Sequence, residues 1–298
     1  MRLVTFSHDN RQNIGALDPE TGMITDLSKA DPSLPTAMIN LIALGDEGLA
    51  KAAAAVASAP PQAQHRQSDV KIMAPIPVPL RNVMCVGRNY HEHAKEFHDS
   101  GFDATADKTS VPEVPIIFTK PPTSVIGPGD AIPSHLDPTN TVDYEGELAV
   151  VIGREGRGIS KAEAFDHVYG YTVINDVTAR TLQLQHKQWF IGKSLDGFCP
   201  MGPVLLTADE AGAVENFHLV TKVNGETRQD AMLADLIFDI PTLIETLSVG
   251  ITLKPGDVIA TGTPAGVGIG FDPPKYLKPG DVVAVTIEPI GTLENRVE

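Results

Sequence analysis

The chain contains 298 residues, of which 42% are hydrophobic and 20% are charged, a composition typical of a globular protein with a sizeable core. Asp and Glu (38) outnumber Lys and Arg (23), which gives a formal net charge of -15 at pH 7. Proteins that bind nucleic acid use clustered Lys and Arg to replace the counterions of phosphate, so this balance argues against a nucleic-acid partner.

Three features of the sequence concern its compartment. The two cysteines, Cys85 and Cys199, are too few for a disulfide framework, and their apolar neighbours favour buried thiols in a reducing environment. The first ten residues, MRLVTFSHDN, contain no apolar run of signal-peptide length, and no segment reaches 18 consecutive apolar residues. These features predict a cytoplasmic protein without a membrane partner.

Residues 1–70 are predicted to form a small N-terminal α+β domain. It begins with a strand, MRLVTFS, and continues through a turn-rich hairpin, DPETGMITDLS. A helical pattern then runs from Thr36 through Ala57, and Gly45 and Gly48 inside it can divide it into two helices. A polar, Pro-rich segment, APPQAQHRQSD, is the predicted linker to a second domain that comprises residues 71–298.

The second domain is predicted to be rich in β-structure. Its short apolar runs, separated by Gly and Pro turns, are NVMCVG, PIIFTK, ELAVVIG, YTVIND, GPVLL, HLVTKVNG, DVIATG and DVVAVTI. Helical patterns are few and cover residues 91–100, 161–166, 179–186 and 240–248. Because strands and helices do not alternate regularly as in a doubly wound fold, the predicted fold class is α+β, with mixed β-sheets and few helices.

Three carboxylates form a candidate metal site. Glu145 and Glu147 lie two apart in a predicted strand, DYEGELAVVIG, so they project from the same face and repel each other unless a cation lies between them. Asp176 follows the next apolar strand and is either a helix N-cap or a third oxygen ligand. An all-carboxylate set favours Mg²⁺ or Mn²⁺, with Ca²⁺ as a further option. The alternative for the Glu-x-Glu pair is a solvated edge strand.

A His–Glu pair is the candidate general base. His93 and Glu96 are three residues apart in a predicted helix and therefore lie on the same face. A carboxylate beside a histidine fixes its tautomer and stabilises the imidazolium, although a polar surface helix gives the same spacing by chance. The polar segment that follows, residues 100–114, is predicted to be a flap near a site.

Two further segments contain candidate binding groups. Lys193 lies between an apolar run and a Gly/Pro-rich turn, where it is either a solvated lysine or an electrostatic stabiliser in a cleft. The glycine-rich segment IATGTPAGVGIG follows a strand and is either a tight turn or an anion site built from backbone N–H groups. The hydroxyls of Thr261 and Thr263 can face a substrate carboxylate.

Six motifs occur in an order that resembles one family. They are GRNYHEHAKE, PIIFTKPPTSVIGPGD, DYEGELAVVIG, YTVINDVTARTLQ, GKSLDGFCPMGP and ATGTPAGVG. Over residues 80–290 the chain is similar to the fumarylacetoacetate hydrolase family, and residues 1–70 resemble the smaller N-terminal domain of many members. The resemblance implies a β-rich catalytic fold that assembles as a homodimer.

The resemblance also implies a set of site residues. Carried onto this chain, the metal ligands fall on Glu145, Glu147 and Asp176, and the catalytic His, Glu and Lys fall on His93, Glu96 and Lys193. The implied cofactor is Mg²⁺ or Mn²⁺. The family's reactions include C–C hydrolysis of acylpyruvates, decarboxylation of oxaloacetate, and isomerisation or hydration of aromatic ring-cleavage products.

From these residues we expect a hydrolase that cleaves a 2,4-dioxo acid of the acylpyruvate, fumarylpyruvate or maleylpyruvate type. His93 would take a proton from water, and Lys193 and the cation would stabilise the pyruvate enolate released by C3–C4 cleavage. Arg88, Tyr90 and Thr263 would position the substrate. The alternatives are a decarboxylase or isomerase that uses the same site, and a non-catalytic metabolite-binding protein. The expected partners are a small 2-keto acid and a second copy of the chain.

Overall fold

The structure is a computed structural model that describes residues 1–101 and 111–298. Most of the predicted flap therefore lies outside the described residues. Within them the α-helices are α1 (Leu27–Ala30), α2 (Met38–Ala43), α3 (Gly45–Ala57), α4 (His91–Asp99), α5 (Arg180–Gln185), α6 (Phe190–Lys193), α7 (Ala208–Ala211) and α8 (Ile240–Ser248). In this part of the chain, no helix combines the length and apolar character needed to cross a bilayer.

The strands occupy more of the chain than the helices do. They are β1 (Arg2–His8), β2 (Arg11–Asp18), β3 (Met23–Asp26), β4 (Gln64–Arg66), β5 (Lys71–Met73), β6 (Val83–Gly87), β7 (Ile116–Lys120), β8 (Val125–Ile126), β9 (Val142–Asp143), β10 (Gly146–Ile152), β11 (Val168–Asn175), β12 (Thr178–Ala179), β13 (Cys199–Thr207), β14 (His218–Val223), β15 (Glu226–Met232), β16 (Val258–Ala260), β17 (Val282–Glu288) and β18 (Gly291–Arg296). Each apolar run of the predicted second domain contains a strand, which confirms the α+β, β-rich fold class.

One large mixed sheet organises the molecule. Its main path runs β4-β3-β2-β1-β13-β11-β10-β16-β6-β7, with β5 beside β1 and β8 beside β13. Successive residues of β10 enter different cores: Leu148 and Val150 join one cluster, and Ala149 and Val151 join the other. Because the strand is covered on both faces, it is apolar at consecutive positions instead of alternating.

The N-terminal residues extend this sheet. β1 pairs with β2, with β5 and, through Arg2 and Leu3, with β13. The predicted linker, residues 59–69, contains β4, which pairs with β3, so this segment is fixed by sheet hydrogen bonds and is not a free connection. The domain boundary near residue 70 stays a prediction, and the two parts share a sheet.

The helix pattern from Thr36 to Ala57 divides as the glycines suggest. α2 ends at Ala43 and α3 begins at Gly45, whose φ of 55° is a left-handed conformation that glycine adopts without strain. Together with α1, these helices cover one face of the large sheet with buried apolar side chains. The other face packs against a four-stranded sheet of order β15-β14-β17-β18.

Candidate active site

The candidate site lies where several central strands of the large sheet begin or end. β10 is antiparallel to both β11 and β16, and β16 is parallel to β6. The beginning of β10 therefore lies beside the ends of β6, β11 and β16. This arrangement gathers Glu147, Asp176 and the glycine-rich segment after β16, although they are distant in sequence.

The structure brings the three predicted metal ligands together. One carboxylate oxygen from each of Glu145, Glu147 and Asp176 lies within 4.8 Å of the others, and all three side chains are buried. The helix after Asp176 begins at Arg180 with Ala179 as its N-cap, so Asp176 is not a cap. The solvated-edge alternative for the Glu-x-Glu pair is also excluded, because Glu145 and Glu147 are 4% and 1% exposed.

Buried cations surround these carboxylates. The Lys193 ammonium lies 2.6 Å from Glu145 and 2.7 Å from Asp176, which excludes the solvated-lysine alternative. The fully buried Lys120 donates to Asp176 at 2.6 Å. Arg180 bridges Glu145 at 2.7 Å and Asp143 at 2.9 Å.

The surroundings of the two glutamates drive their pKa values apart. Burial alone would raise the pKa of Glu145, but Lys193 and Arg180 outweigh it and lower that pKa to about 2. Burial raises the pKa of Glu147 well above its usual value, and the charges of Asp176 and Glu145 raise it further. Glu147 is therefore the carboxylate whose charge the protein compensates least.

The donor set fits a hard divalent cation. Within the described residues, the carboxylate of Glu147 accepts a hydrogen bond from the Gly262 amide at 2.9 Å but has no ion pair. An ionised carboxylate that is buried without a cation is strongly disfavoured, and Mg²⁺ or Mn²⁺ prefers oxygen ligands of this type. Glu145, Glu147 and Asp176 are thus the residues that would hold the ion.

The predicted His–Glu pair is present and adjoins the same cavity. His93 Nδ1 lies 3.2 Å from Glu96 Oε2, and His93 is buried. The second oxygen of Glu96 accepts the Gly266 amide at 3.0 Å, which fixes the carboxylate. With Nδ1–H donated to Glu96, Nε2 is the free basic nitrogen.

The glycine-rich loop, residues 261–270, holds protein carboxylates. Its amides at Gly262, Gly266 and Gly268 donate to Glu147, Glu96 and Asp143, and Ile269 also donates to Asp143. These amides are not available to a substrate anion, so the predicted anion-binding role is wrong for them. The loop instead fixes a candidate metal ligand and the carboxylate of the His–Glu pair relative to each other.

Gly266 is required by this arrangement, which gives a testable prediction. Its φ is 101°, and an added Cβ would overlap the carbonyl oxygen of Arg228. Gly129 also has a left-handed φ of 76°, but no heavy atom of the described residues lies within 4 Å of its added Cβ. We expect Gly129→Ala to cost only the backbone strain of about 1–2 kcal/mol, and Gly266→Ala to cost clearly more. Urea unfolding measures both, and equal losses would contradict the overlap.

The predicted substrate-binding residues differ in their positions. Arg88 and Thr263 line the small cavity between His93 and the glutamates, whereas Tyr90 lines a neighbouring cavity with Asp235 and Pro264. The Thr263 hydroxyl donates to Gly146 at 2.9 Å, and the Thr261 hydroxyl donates to Leu148 at 3.0 Å. Both hydroxyl hydrogens are thus used by the backbone rather than by a substrate.

Several residues of the site were not predicted from the sequence. Arg180 and Gln183 line the cavity from the predicted helix after Asp176, and their i,i+3 spacing places them on one face. Lys120 and Asp143 are fully buried, and nothing in their local sequence distinguishes them from surface charges. The apolar wall of the cavity consists of Phe97, Phe118 and Trp189, whose rings meet edge to face.

Comparison with known proteins identifies the family. The family model described as "Fumarylacetoacetate (FAA) hydrolase C-terminal" matches residues 82–298. The chain belongs to the fumarylacetoacetate hydrolase family. This result confirms the resemblance that the six motifs indicated.

Relatives match the chain along its whole length. Oxaloacetate tautomerase YisK from Bacillus subtilis (strain 168) is 48% identical, with 100% of both chains covered. The structure of fumarylacetoacetate hydrolase EaFAH from psychrophilic Exiguobacterium antarcticum is 42% identical with a TM-score of 0.83 and covers 100% of this chain and 99% of its own. Maleylpyruvate hydrolase from Sphingobium sp. SYK-6, in complex with manganese(II) ion and pyruvate, is 30% identical with a TM-score of 0.78, with 100% and 98% covered.

The family fold and the acidic site agree with each other. The fumarylacetoacetate hydrolase fold covers this chain from end to end, and the buried carboxylates lie where the large sheet supplies several strand ends. The names of these relatives indicate different reactions, a tautomerisation and a hydrolysis, so the shared fold does not by itself determine the reaction.

Proposed function

We propose that the protein is a divalent-cation-dependent enzyme that interconverts the keto and enol forms of oxaloacetate. The observation that carries this proposal is the placement of His93, Glu145 and Glu147 around one small cavity, which sets a base beside a cation site. The 48% identity to an oxaloacetate tautomerase over the whole chain supports the choice of reaction. Mg²⁺ or Mn²⁺ is the proposed ion.

The reaction needs one proton to leave C3 of the substrate and another to reach the 2-oxo oxygen. Bound Mg²⁺ or Mn²⁺ would polarise the 2-oxo group as a Lewis acid. His93 Nε2 takes the proton as the C3–H bond breaks, and Glu96 stabilises the imidazolium. The same imidazolium, or water, returns a proton to oxygen, and the ammonium of Lys193, which lines the same cavity, would stabilise the enolate charge.

The charges of the site favour an anionic substrate. Lys120, Arg180 and Lys193 oppose four buried carboxylates, those of Asp143, Glu145, Glu147 and Asp176. Arg88, which is also buried and lines the cavity, brings the cations to four, so a divalent ion would make this group of charges positive. A small dicarboxylate offsets that positive charge, and Arg180 and Gln183 on the cavity wall offer donors to its carboxylates.

The size of the cavity favours a short substrate. Its volume of about 10 Å³ admits one water molecule, so a substrate extends out of the cavity or displaces its side chains. A four-carbon acid requires less displacement than an acylpyruvate with a long acyl group. Phe97, Phe118 and Trp189 are the side chains that such a displacement would move.

The second candidate function is hydrolysis of a 2,4-dioxo acid to pyruvate and a carboxylic acid. It is supported by the same His93–Glu96 pair, which can activate a water as well as remove a carbon-bound proton. The 30% identical maleylpyruvate hydrolase supports it further. Decarboxylation of oxaloacetate and isomerisation of ring-cleavage products use the same enolate and are further alternatives.

We also propose a cytoplasmic location. The buried free thiols of Cys85 and Cys199 support it, because thiols stay reduced in that compartment.

One assay separates these candidates. The purified protein is supplied with Mn²⁺ and freshly dissolved oxaloacetate, and the enol absorbance is followed together with pyruvate release. We expect rapid relaxation of the keto–enol ratio with little pyruvate. Pyruvate release from acylpyruvates without an effect on enol absorbance would replace the first candidate by the second. No turnover of any of these substrates would favour a metabolite-binding protein.

We also propose that the protein is a homodimer. β7 is the last strand on the main path of the large sheet in the described chain, and apolar side chains of this region are exposed. Val114 and Ile117 are 68% and 38% exposed, and Phe190 and Ile191 on the adjacent α6 are each 43% exposed. An unpaired strand edge with an apolar patch is a surface that a second copy can cover.

Light scattering tests the dimer directly. We expect a particle of twice the 31.8 kDa chain mass at micromolar concentration, and Ile117→Lys should shift it towards the monomer. Ile251→Lys is the matched control, because Ile251 is 48% exposed outside this patch. A wild-type monomer, or equal effects of the two variants, would contradict the proposal.

A further inference from the structure

Gln229 occupies a central position that none of the six motifs reveals. It lies in β15 of the smaller sheet and is fully buried. Its Oε1 accepts the Gly146 amide at 3.0 Å, and its Nε2 donates to the Thr263 hydroxyl at 2.7 Å and to the Pro264 carbonyl at 2.8 Å. These partners fix the orientation of the amide, because the Gly146 N–H can only donate and the Pro264 carbonyl can only accept.

The first partner of Gln229 separates two candidate metal ligands. Gly146 lies between Glu145 and Glu147, and both of its backbone groups are bound: its N–H by Gln229 and its C=O by the Thr263 hydroxyl. These bonds set the position of the peptide that determines how far apart the two carboxylates lie. A shift of this peptide would move both ligands together.

The other partners of Gln229 belong to the glycine-rich loop. Thr263 and Pro264 lie between Gly262, which holds Glu147, and Gly266, which holds Glu96. The loop is thereby bound to β15, and the added Cβ of Gly266 would overlap Arg228 on that same strand. A single buried amide therefore connects the metal-ligand segment to the segment that fixes the His–Glu pair.

We propose that Gln229 is a positioning residue that keeps the carboxylate site and the His93–Glu96 pair in register. It does not line the cavity between His93 and the glutamates, so it acts through the groups it holds. The metal half of this inference stands on the carboxylate geometry alone, and the catalytic half rests on the proposed function. The smaller sheet then serves as a template for the site as well as a packing layer.

Gln229→Met removes all three hydrogen bonds at nearly constant volume. We expect the Kd for Mn²⁺ to rise about 10- to 100-fold, the range found when groups that orient metal ligands are lost. At saturating Mn²⁺ the electron paramagnetic resonance spectrum of the bound ion should show an altered zero-field splitting. That spectroscopic change reports ligand geometry, which a general loss of stability would not alter.

Gln229→Glu separates the two halves of the proposal. Because a buried carboxyl group without a cation stays protonated, the variant keeps an acceptor for the Gly146 amide and at most one of the two donors to Thr263 and Pro264. We expect Mn²⁺ affinity close to that of the wild type, with a kcat that is lower by about tenfold or more because Glu96 and His93 are displaced. KM should change less than kcat, since the cavity wall is intact.

Thr221→Val is the matched control. Thr221 is equally buried in the neighbouring strand β14 and approaches Gly146, but its hydroxyl has no hydrogen-bond partner in the described residues. The control should keep Mn²⁺ affinity, spectrum and kcat. A folded Gln229→Met variant with a wild-type Kd, spectrum and kcat would overturn the proposal, as would failure of both Gln229 variants to fold, which would make the residue structural. If the wild type lacks oxaloacetate turnover, the proposed function fails, and the Mn²⁺ measurements still decide the role of Gln229.

Discussion

Replacing Glu147 by glutamine is expected to abolish the response of the protein to divalent cations while leaving the fold intact. The amide has the shape of the carboxylate and can still accept the Gly262 amide, which lies 2.9 Å from Glu147. It removes the negative charge that no cation of the described residues pairs with. Loss of groups that only orient a ligand costs about 10–100-fold in metal affinity, so loss of the ligand itself should cost at least about 100-fold.

The variant should change stability in opposite ways with and without metal. Without metal, burial and the charges of Asp176 and Glu145 disfavour the ionised form of Glu147, so Glu147→Gln should melt at the same temperature as the wild type or higher. With Mn²⁺, only the wild type should gain RT ln(1 + [L]/Kd) of stability. Differential scanning calorimetry at increasing Mn²⁺ measures both effects.

A chemical control accompanies this prediction. Glu92→Gln makes the same change on the exposed side of α4, and it should keep the Mn²⁺ response and the activity. Chelation of the wild type should reproduce the loss of activity in Glu147→Gln, and added Mn²⁺ should restore only the wild type. Full turnover by a metal-free preparation, or an unchanged Mn²⁺ response in Glu147→Gln, would contradict a cation at this site.

The sequence predicted those parts of the site that depend on the spacing of residues close to each other in the chain. The two-residue spacing predicted that Glu145 and Glu147 lie together, and they do, although Glu145 directly precedes β10 and only Glu147 lies in the strand. A three-residue spacing in a helix placed His93 beside Glu96. Strand ends and glycine turns were visible because apolar runs and turn residues carry their own signals. The ordered motifs then connected segments that no local rule could relate.

The compensating charges were not visible because their meaning depends on tertiary structure. Arg180 pairs with Asp143, which lies 37 residues earlier, and Lys120 pairs with Asp176, 56 residues later. In the sequence such charged residues look like ordinary surface residues. They are buried only because the fold brings the ends of distant strands together. The role of the glycine-rich loop was missed for the same reason, since its amides bind the side chains of Glu147, Glu96 and Asp143, which belong to three other segments of the fold.

The His93–Glu96 pair provides the second large prediction, and it distinguishes reactions that share one site. Tautomerisation requires removal of a carbon-bound proton, and hydrolysis requires an activated water, so both need the base. Decarboxylation of oxaloacetate needs only a sink for the electrons left by CO₂, which a cation held by Glu145, Glu147 and Asp176 would supply. His93→Ala should therefore lower tautomerisation, and any acylpyruvate hydrolysis, by a factor of about 10² to 10⁴, with a much smaller effect on decarboxylation.

Glu96→Gln tests whether Glu96 acts through His93. Glutamine can still accept the Gly266 amide but no longer stabilises an imidazolium, so we expect a loss in the same direction as for His93→Ala. The double variant should be no slower than His93→Ala, because a residue that acts through another contributes nothing once that residue is gone. The measurement is kcat for tautomerisation and decarboxylation in the wild type, both single variants and the double variant. Equal losses in both reactions would mean that the pair is not a base but only contacts any bound keto acid. Additive losses would mean that Glu96 does not act through His93.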